Sequence, residues 1–162
     1  MKSNFIKTAR AFTLIEILVV IGIIAVLAAI VIIAINPARQ FAQARDSQRT
    51  ANLNSILNAV GQRIADNKGV FAGVAADGSI CPTLPASATE ISTTSPASAE
   101  TSAKLGCLTP TYIPELPADP NGGSGPGLIG YKIYQDTNGR VHLLADTPET
   151  AIPRTTAIEI TR

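Results

Sequence analysis

A long apolar segment near the N-terminus dominates the hydrophobic pattern. Residues 12 to 35 make a run of 24 in which Glu16 is the single charged residue. A helix of this length extends about 36 Å, which covers a hydrocarbon layer of about 30 Å. The core helix of a soluble protein rarely runs so far without a polar face, and the apolar stretch of a cleaved secretory signal is only about 7–15 residues. The pattern therefore predicts a membrane-spanning helix.

A second helix is predicted from residue 38 to about residue 67, because apolar side chains recur there at intervals of three and four residues. The apolar positions are Leu53, Ile56, Leu57, Val60 and Ile64. The charged and amide side chains between them predict polar faces; they are Arg45, Asp46, Gln48, Arg49, Asn52, Gln62, Arg63 and Asp66. Gly69 is a typical stop for such a helix. We expect the apolar stripe to pack on a sheet.

The junction between the two helices, Asn36-Pro37, allows two arrangements. In the first, Asn36 caps a new helix and Pro37 occupies its first turn. In the second, one long helix continues through the junction and bends there, because proline removes a backbone donor. The sequence leaves both open.

The C-terminal part of the chain has strand character. Residues 128–135 read Leu-Ile-Gly-Tyr-Lys-Ile-Tyr-Gln, and a strong turn sequence, Asp-Thr-Asn-Gly, follows at 136–139. Residues 140–145 alternate between apolar and other side chains, so the two segments predict a hairpin. Residues 157–161 predict a third strand, with Ile158 and Ile160 on one face. A helix followed by antiparallel strands predicts an α+β fold.

Two segments read as loops. Residues 82–106 hold ten Ser or Thr among 25 residues, together with three prolines, a composition that predicts an exposed loop without a core. Residues 114–127 contain four Pro and four Gly and predict a turn region.

Composition adds to this picture. The chain of 162 residues is 46% hydrophobic but only 4% aromatic, and the apolar run accounts for much of the average, so the remainder has a modest core. The formal net charge of +1 excludes a strong basic field for nucleic acid. Lys2, Lys7 and Arg10 precede the apolar run without any acid. This asymmetry predicts a cytoplasmic N-terminus and an exported C-terminal part.

The two cysteines, Cys81 and Cys107, both follow the apolar run. In an exported, loop-rich region an even number of cysteines favours a disulfide between them. The alternative is two unrelated buried thiols. Neither cysteine has His142, the single histidine, at a spacing typical of a zinc site, so no metal centre is expected.

The residues around Glu16 carry the most specific signal. A basic leader that ends in Ala11 is followed by Phe12-Thr13-Leu14-Ile15-Glu16, which opens the apolar run. This arrangement resembles the class III signal of type IV prepilins and of the pseudopilins of type II secretion. The resemblance implies that a prepilin peptidase cuts between Ala11 and Phe12 and that Phe12 then becomes the N-methylated first residue. Ala11 stands where that family usually has glycine.

Glu16 matches the glutamate of the same family. A carboxylate in hydrocarbon costs several kcal/mol unless it is paired or lies near the interface. One interpretation is that Glu16 simply reaches the lipid headgroups. The resemblance implies instead an assembly ion pair with the α-amine that cleavage frees at Phe12, on the same chain or on an adjacent copy.

The resemblance implies a pilin fold: a long N-terminal helix, half transmembrane and half amphipathic, packed on a small antiparallel sheet. The implied segments are a leader at 1–11, a transmembrane and filament-core helix at 12–36, an amphipathic helix at 37–68, and a head at 69–162 that includes the Ser/Thr-rich loop. The polar part of the second helix, residues 41–49, is expected either to meet other subunits or to face solvent.

The same resemblance implies a structural subunit and not an enzyme. Its partners would be identical or related pilin subunits in a helical filament, the prepilin peptidase that also methylates, the membrane, and the assembly platform of a pilus or of type II secretion. The chain would cross the inner membrane once, with its head extracytoplasmic, and then enter a pilus used in adhesion, motility or DNA uptake. The alternatives are a periplasmic pseudopilus that serves secretion and a membrane-anchored periplasmic binding module.

No cofactor is expected, with calcium as the single candidate. The sequence Asp-Pro-Asn-Gly at 119–122 resembles a calcium-binding loop of major pseudopilins. Asp136 and Asp146 are candidates for further oxygen ligands, since calcium takes 6–8 of them. Ordinary turn chemistry explains the sequence at Asp119 equally well. His142 falls in a predicted strand, and no hydrolase triad is readable.

Overall fold

The structure is a computed structural model that describes residues 12–75, 77–94, 103–146, 149, 151–152 and 156–162. The chain divides into two compact units, Met1–Gln40 and Phe41–Arg162. The first described unit is helical. The second combines a helix with antiparallel strands, so the α+β prediction is confirmed.

The first helix, α1, spans Leu14–Ile35 and consists almost entirely of aliphatic residues. None of its residues is buried, and the side chains are exposed all around its circumference. Among the described residues it is the one helix that is long and apolar enough to cross a membrane. The predicted membrane-spanning helix is therefore present as a helix of the expected length.

The second helix, α2, spans Pro37–Asp66. Asn36 separates it from α1, with φ of 47° in the left-handed region. The carbonyl oxygen of Asn36 accepts hydrogen bonds from the backbone N–H groups of Arg39 and Gln40. The structure thus has the first of the two predicted arrangements, in which Asn36 caps a new helix and Pro37 is in its first turn.

The strands form two antiparallel sheets. Strands β1 (Gly73–Val74) and β2 (Ile80–Cys81) make a small ribbon. A four-stranded sheet has the order β3-β4-β5-β6, formed by Thr89–Ser92, Leu128–Gln135, Val141–Ala145 and Ile158–Thr161. The predicted hairpin is confirmed, because Gln135 pairs with Val141 and Lys132 with Leu144. The predicted third strand is confirmed as β6, which pairs with β5.

The core lies between α2 and the four-stranded sheet. Leu53, Ile56, Leu57 and Val60 are buried there, and Ile64 packs against the cluster, as the apolar stripe predicts. The sheet contributes alternate residues of its central strands, which are Ile129, Tyr131, Ile133, Val141, Leu143 and Ala145. Burial of these side chains is the main driving force for folding of the head.

The prediction that residues 82–106 form a loop without a core is wrong in part. Strand β3 lies within this segment and pairs with β4, and Ile91 is fully buried. Leu84 and Leu105, on either side of β3, also join the core. A single well-placed isoleucine in a Ser/Thr-rich strand is sufficient because a strand with one covered face needs only alternate apolar residues. Residues 95–102 lie outside the described part.

The prediction of polar faces on α2 also needs correction. Arg49, Asp46 and Arg63 are buried, although they were assigned to polar faces. The guanidinium of Arg63 donates hydrogen bonds to the backbone oxygens of Phe71 and Val74. Buried charge of this kind is tolerated when its donors have acceptors.

Candidate functional site

The start of α1 is a capping box formed by Thr13 and Glu16. Thr13 is the N-cap, with extended backbone angles of φ −81° and ψ 150°. The Glu16 backbone N–H donates to the Thr13 hydroxyl oxygen at 3.2 Å, and the Thr13 backbone N–H donates to Glu16 Oε2 at 2.9 Å. The Thr13 hydroxyl donates to the same Oε2, also at 2.9 Å. These contacts satisfy N–H groups that a helix start leaves without intrahelical partners.

The capping box fixes where α1 begins. Phe12 lies outside the helix and is 80% exposed. Glu16 occupies the third helical position, where a carboxylate also interacts favourably with the positive end of the helix dipole. The predicted cleavage site between Ala11 and Phe12 falls partly outside the described residues, because the structure describes the chain from Phe12 onward.

The remainder of α1 offers only apolar contacts. Its large apolar side chains are at least half exposed in the single chain, and after Glu16 no charged residue follows until the helix has ended. Monomeric soluble proteins rarely expose contiguous apolar surface beyond a few hundred Å². Lipid or other apolar helices must therefore cover α1 wherever the protein is stable.

A network of ion pairs joins α2 to the rest of the head. The guanidinium of Arg49 is fully buried and contacts Asp119 (Nε to Oδ2, 2.7 Å), Glu149 (Nη1 to Oε1, 2.7 Å) and Asp46 (Nη1 to Oδ1, 3.0 Å). Arg45 adds a second contact to Glu149, with 2.8 Å between Nε and Oε1. We call these five residues the Arg49 network.

The charges of the Arg49 network stabilise one another. Hydrogen bonds from Arg45 and then Arg49 lower the pKa of Glu149 to about 2, against the cost of burial. The hydrogen bond with Asp119 is the largest cause that raises the pKa of Arg49. Both groups are therefore ionised at neutral pH, and the network holds α2, the turn at Asp119 and the chain at Glu149 together.

The structure places the three calcium candidates with different partners. Both carboxylate oxygens of Asp119 accept hydrogen bonds from Arg49. Asp136 caps its own turn by accepting from the backbone N–H groups of Asn138 and Arg140, which lowers its pKa. Asp146 forms an ion pair with Lys132. Within the described ranges no group of three or more His, Cys, Asp or Glu side chains is placed to hold a metal ion.

The two cysteines lie together. Cys81 in β2 and Cys107 in a short 3₁₀ helix, Gly106–Leu108, are joined as a disulfide with their Cα atoms 5.4 Å apart. Both are fully buried in the core. The bond encloses the chain that contains β3.

His142 belongs to the outer face of the sheet. Its ring stacks on Tyr134 in the neighbouring strand, with centroids 4.4 Å apart, and its Nδ1 lies 2.7 Å from Glu159 Oε1 in β6. These contacts tie three neighbouring strands together, as expected of a cross-strand cluster.

Sequence reasoning did not find the Arg49 network. Its acidic members Asp119 and Glu149 lie 70 and 100 positions from Arg49, so no local pattern connects them. The single local signal is the spacing of Asp46 and Arg49, which are three apart on one helix and form an ion pair.

Residues 6–35 match the model of the prokaryotic N-terminal methylation motif. The match includes the predicted cleavage junction, the capping box and the whole of α1. It identifies this segment as the class III signal of type IV pilins and pseudopilins. No curated protein and no solved structure matches the chain.

Proposed function

We propose that this chain, which carries the class III signal of type IV pilins and pseudopilins, is a prepilin that becomes a structural subunit of a type IV pilus-like filament. In this proposal a prepilin peptidase removes residues 1–11 and methylates Phe12. The mature chain stays in the inner membrane with its N-terminus cytoplasmic and its head extracytoplasmic. It then leaves the lipid and joins other subunits through α1.

One observation carries the proposal: an apolar helix, exposed on all sides, that begins immediately after the motif's junction. A helix without a polar face can be covered by lipid or by copies of itself with little change in its surroundings. That equivalence makes transfer from membrane to filament energetically feasible. The folded head in unit Phe41–Arg162 supplies the water-soluble part of such a subunit.

Glu16 gives the proposed assembly its specificity. Cleavage before Phe12 creates an α-amine that is positive at neutral pH. In a filament core the Glu16 carboxylate pairs with the amine of a neighbouring copy. Loss of either partner leaves a buried charge without compensation, at a cost of about 3–5 kcal/mol. This penalty favours one axial register between neighbouring subunits.

The mature N-terminus tests the proposal. Mass spectrometry of the chain from cells that express it with a prepilin peptidase should find N-methyl-phenylalanine at position 12. The matched variant Ala11→Glu should retain the leader, because the peptidase requires a small residue there. A wild-type chain that keeps its first eleven residues and forms no fibre would contradict the proposal. Immunogold labelling of long extracellular fibres, as opposed to periplasmic ones, separates a pilus from a pseudopilus.

A further inference from the structure

The two oxygens of the Glu16 carboxylate have different surroundings. Oε2 accepts both hydrogen bonds from Thr13, one from its backbone N–H and one from its hydroxyl, each at 2.9 Å. Oε1 accepts no hydrogen bond from any residue in the described ranges. The capping box therefore engages one oxygen and leaves the other directed away from the cap.

We propose that Thr13 is a positioning residue for the assembly ion pair: its cap holds Glu16 by Oε2 and presents Oε1 to the α-amine of the neighbouring copy. This inference rests on the proposed function and extends it to a second side chain. Glu16 then has two simultaneous roles, because the cap does not have to break when the amine arrives.

The physical reason is preorganisation. A glutamate side chain has three rotatable bonds, and its ordering on binding reduces affinity. In the structure the reciprocal contacts between Thr13 and Glu16 have already restricted those bonds before any partner is present. An amine that approaches the start of α1 thus meets a fixed acceptor in a site of low polarity, where a charge-assisted hydrogen bond is strong.

Three variants separate the cap from the charge. Thr13→Val has nearly the shape of threonine but removes the hydroxyl, whereas Thr13→Ser retains it. Glu16→Gln removes the charge but still completes a capping box, since glutamine serves at this position as well as glutamate. Each variant is co-expressed with the wild-type chain, and mass spectrometry gives the ratio of variant to wild type in isolated filaments. The ratio is normalised to the membrane pool of each chain that begins at Phe12, so altered cleavage does not affect it.

We expect Thr13→Val to enter filaments about five- to thirtyfold less than wild type, the change in equilibrium for loss of one cap, and Thr13→Ser to enter nearly normally. Placed on top of Glu16→Gln, the Thr13→Val change should have little further effect, because the charge that Thr13 positions is already absent.

Two results overturn the inference. In the first, Thr13→Val enters filaments as well as wild type. In the second, Thr13→Val lowers incorporation by the same factor in the wild-type chain and in the Glu16→Gln variant, which shows that Thr13 only starts the helix. Neither result affects the proposed function, which fails separately if the wild-type chain is not cleaved and forms no filament.

Discussion

Arg49 and Asp119 form a bidentate ion pair from which water is excluded: Nε lies 2.7 Å from Oδ2, Nη2 lies 3.1 Å from Oδ1, and both side chains are fully buried. Arg49 is in the middle of α2, whereas Asp119 belongs to the turn region that leads into β4 through its backbone bond to Ile129. The pair therefore joins the helix to the sheet at a point where apolar packing is replaced by charge.

Replacement of Arg49 by methionine should destabilise the head strongly. The substitution keeps apolar volume but leaves Asp119 and Glu149 buried without their main cation, and breaking a buried pair in this way costs about 3–5 kcal/mol. Urea unfolding of the full chain in detergent, followed by fluorescence of Tyr131 in the core, measures the difference. The matched control is Arg140→Met, because Arg140 is exposed; its effect should be within about 0.5 kcal/mol. Equal midpoints for the two variants would show that the network contributes little.

Acid should weaken the head between about pH 4.5 and pH 2. The pKa of Glu149 is lowered from 4.5 to about 2 by its hydrogen bonds with Arg45 and Arg49. Since a lowered pKa means that the folded state favours the ionised form, the stabilisation is fully present above pH 4.5 and is lost as pH falls toward 2. Glu149→Gln should be less stable than wild type at pH 7, and the two midpoints should converge below pH 3. Glu115→Gln, at an exposed site, is the control and should follow wild type throughout.

The features that the sequence predicted are those with a local pattern. The apolar run before Ile35, the stripe from Leu53 to Val60 and the hairpin of β4 and β5 each show a period that belongs to one kind of element. The start of α1 was likewise recognisable from neighbouring residues, although its capping box was not inferred.

The features that were missed depend on residues far apart in the chain. Arg49 and Arg63 looked like ordinary polar-face residues, because helical periodicity treats every charge as exposed unless a partner is known. Strand β3 was missed because its surroundings are rich in Ser and Thr, and Ile91 alone does not make a strand pattern. In both cases burial is decided by the opposite element and not by the residues themselves.

Removal of the disulfide should lower the stability of the head by about 3–4 kcal/mol, the loop-closure contribution for a loop of this size. The bond joins Cys81 and Cys107, which are 26 positions apart, and both lie in the core. Cys81→Ala combined with Cys107→Ala should unfold at lower urea than wild type, and reduced wild type should behave like the double variant. Intact-mass analysis of the exported chain checks the bond directly, because reduction should add two hydrogen atoms. An unchanged mass would contradict the disulfide.

Alanine at Gly130 should be far more damaging than alanine at Gly78, although both glycines have positive φ, of 81° and 85°. A Cβ at Gly130 would lie 2.7 Å from the carbonyl oxygen of Gly122 and 2.8 Å from the Cβ of Asp119, whereas a Cβ at Gly78 meets nothing within 4 Å. Both substitutions place an L side chain in the left-handed region at a cost of about 1–2 kcal/mol, and overpacking at Gly130 adds about 1–3 kcal/mol. Since the clash displaces Asp119, Gly130→Ala should also remove most of the further effect of Arg49→Met when the two are combined. Additive midpoints in urea for that double variant would show that β4 and the Arg49 network are independent.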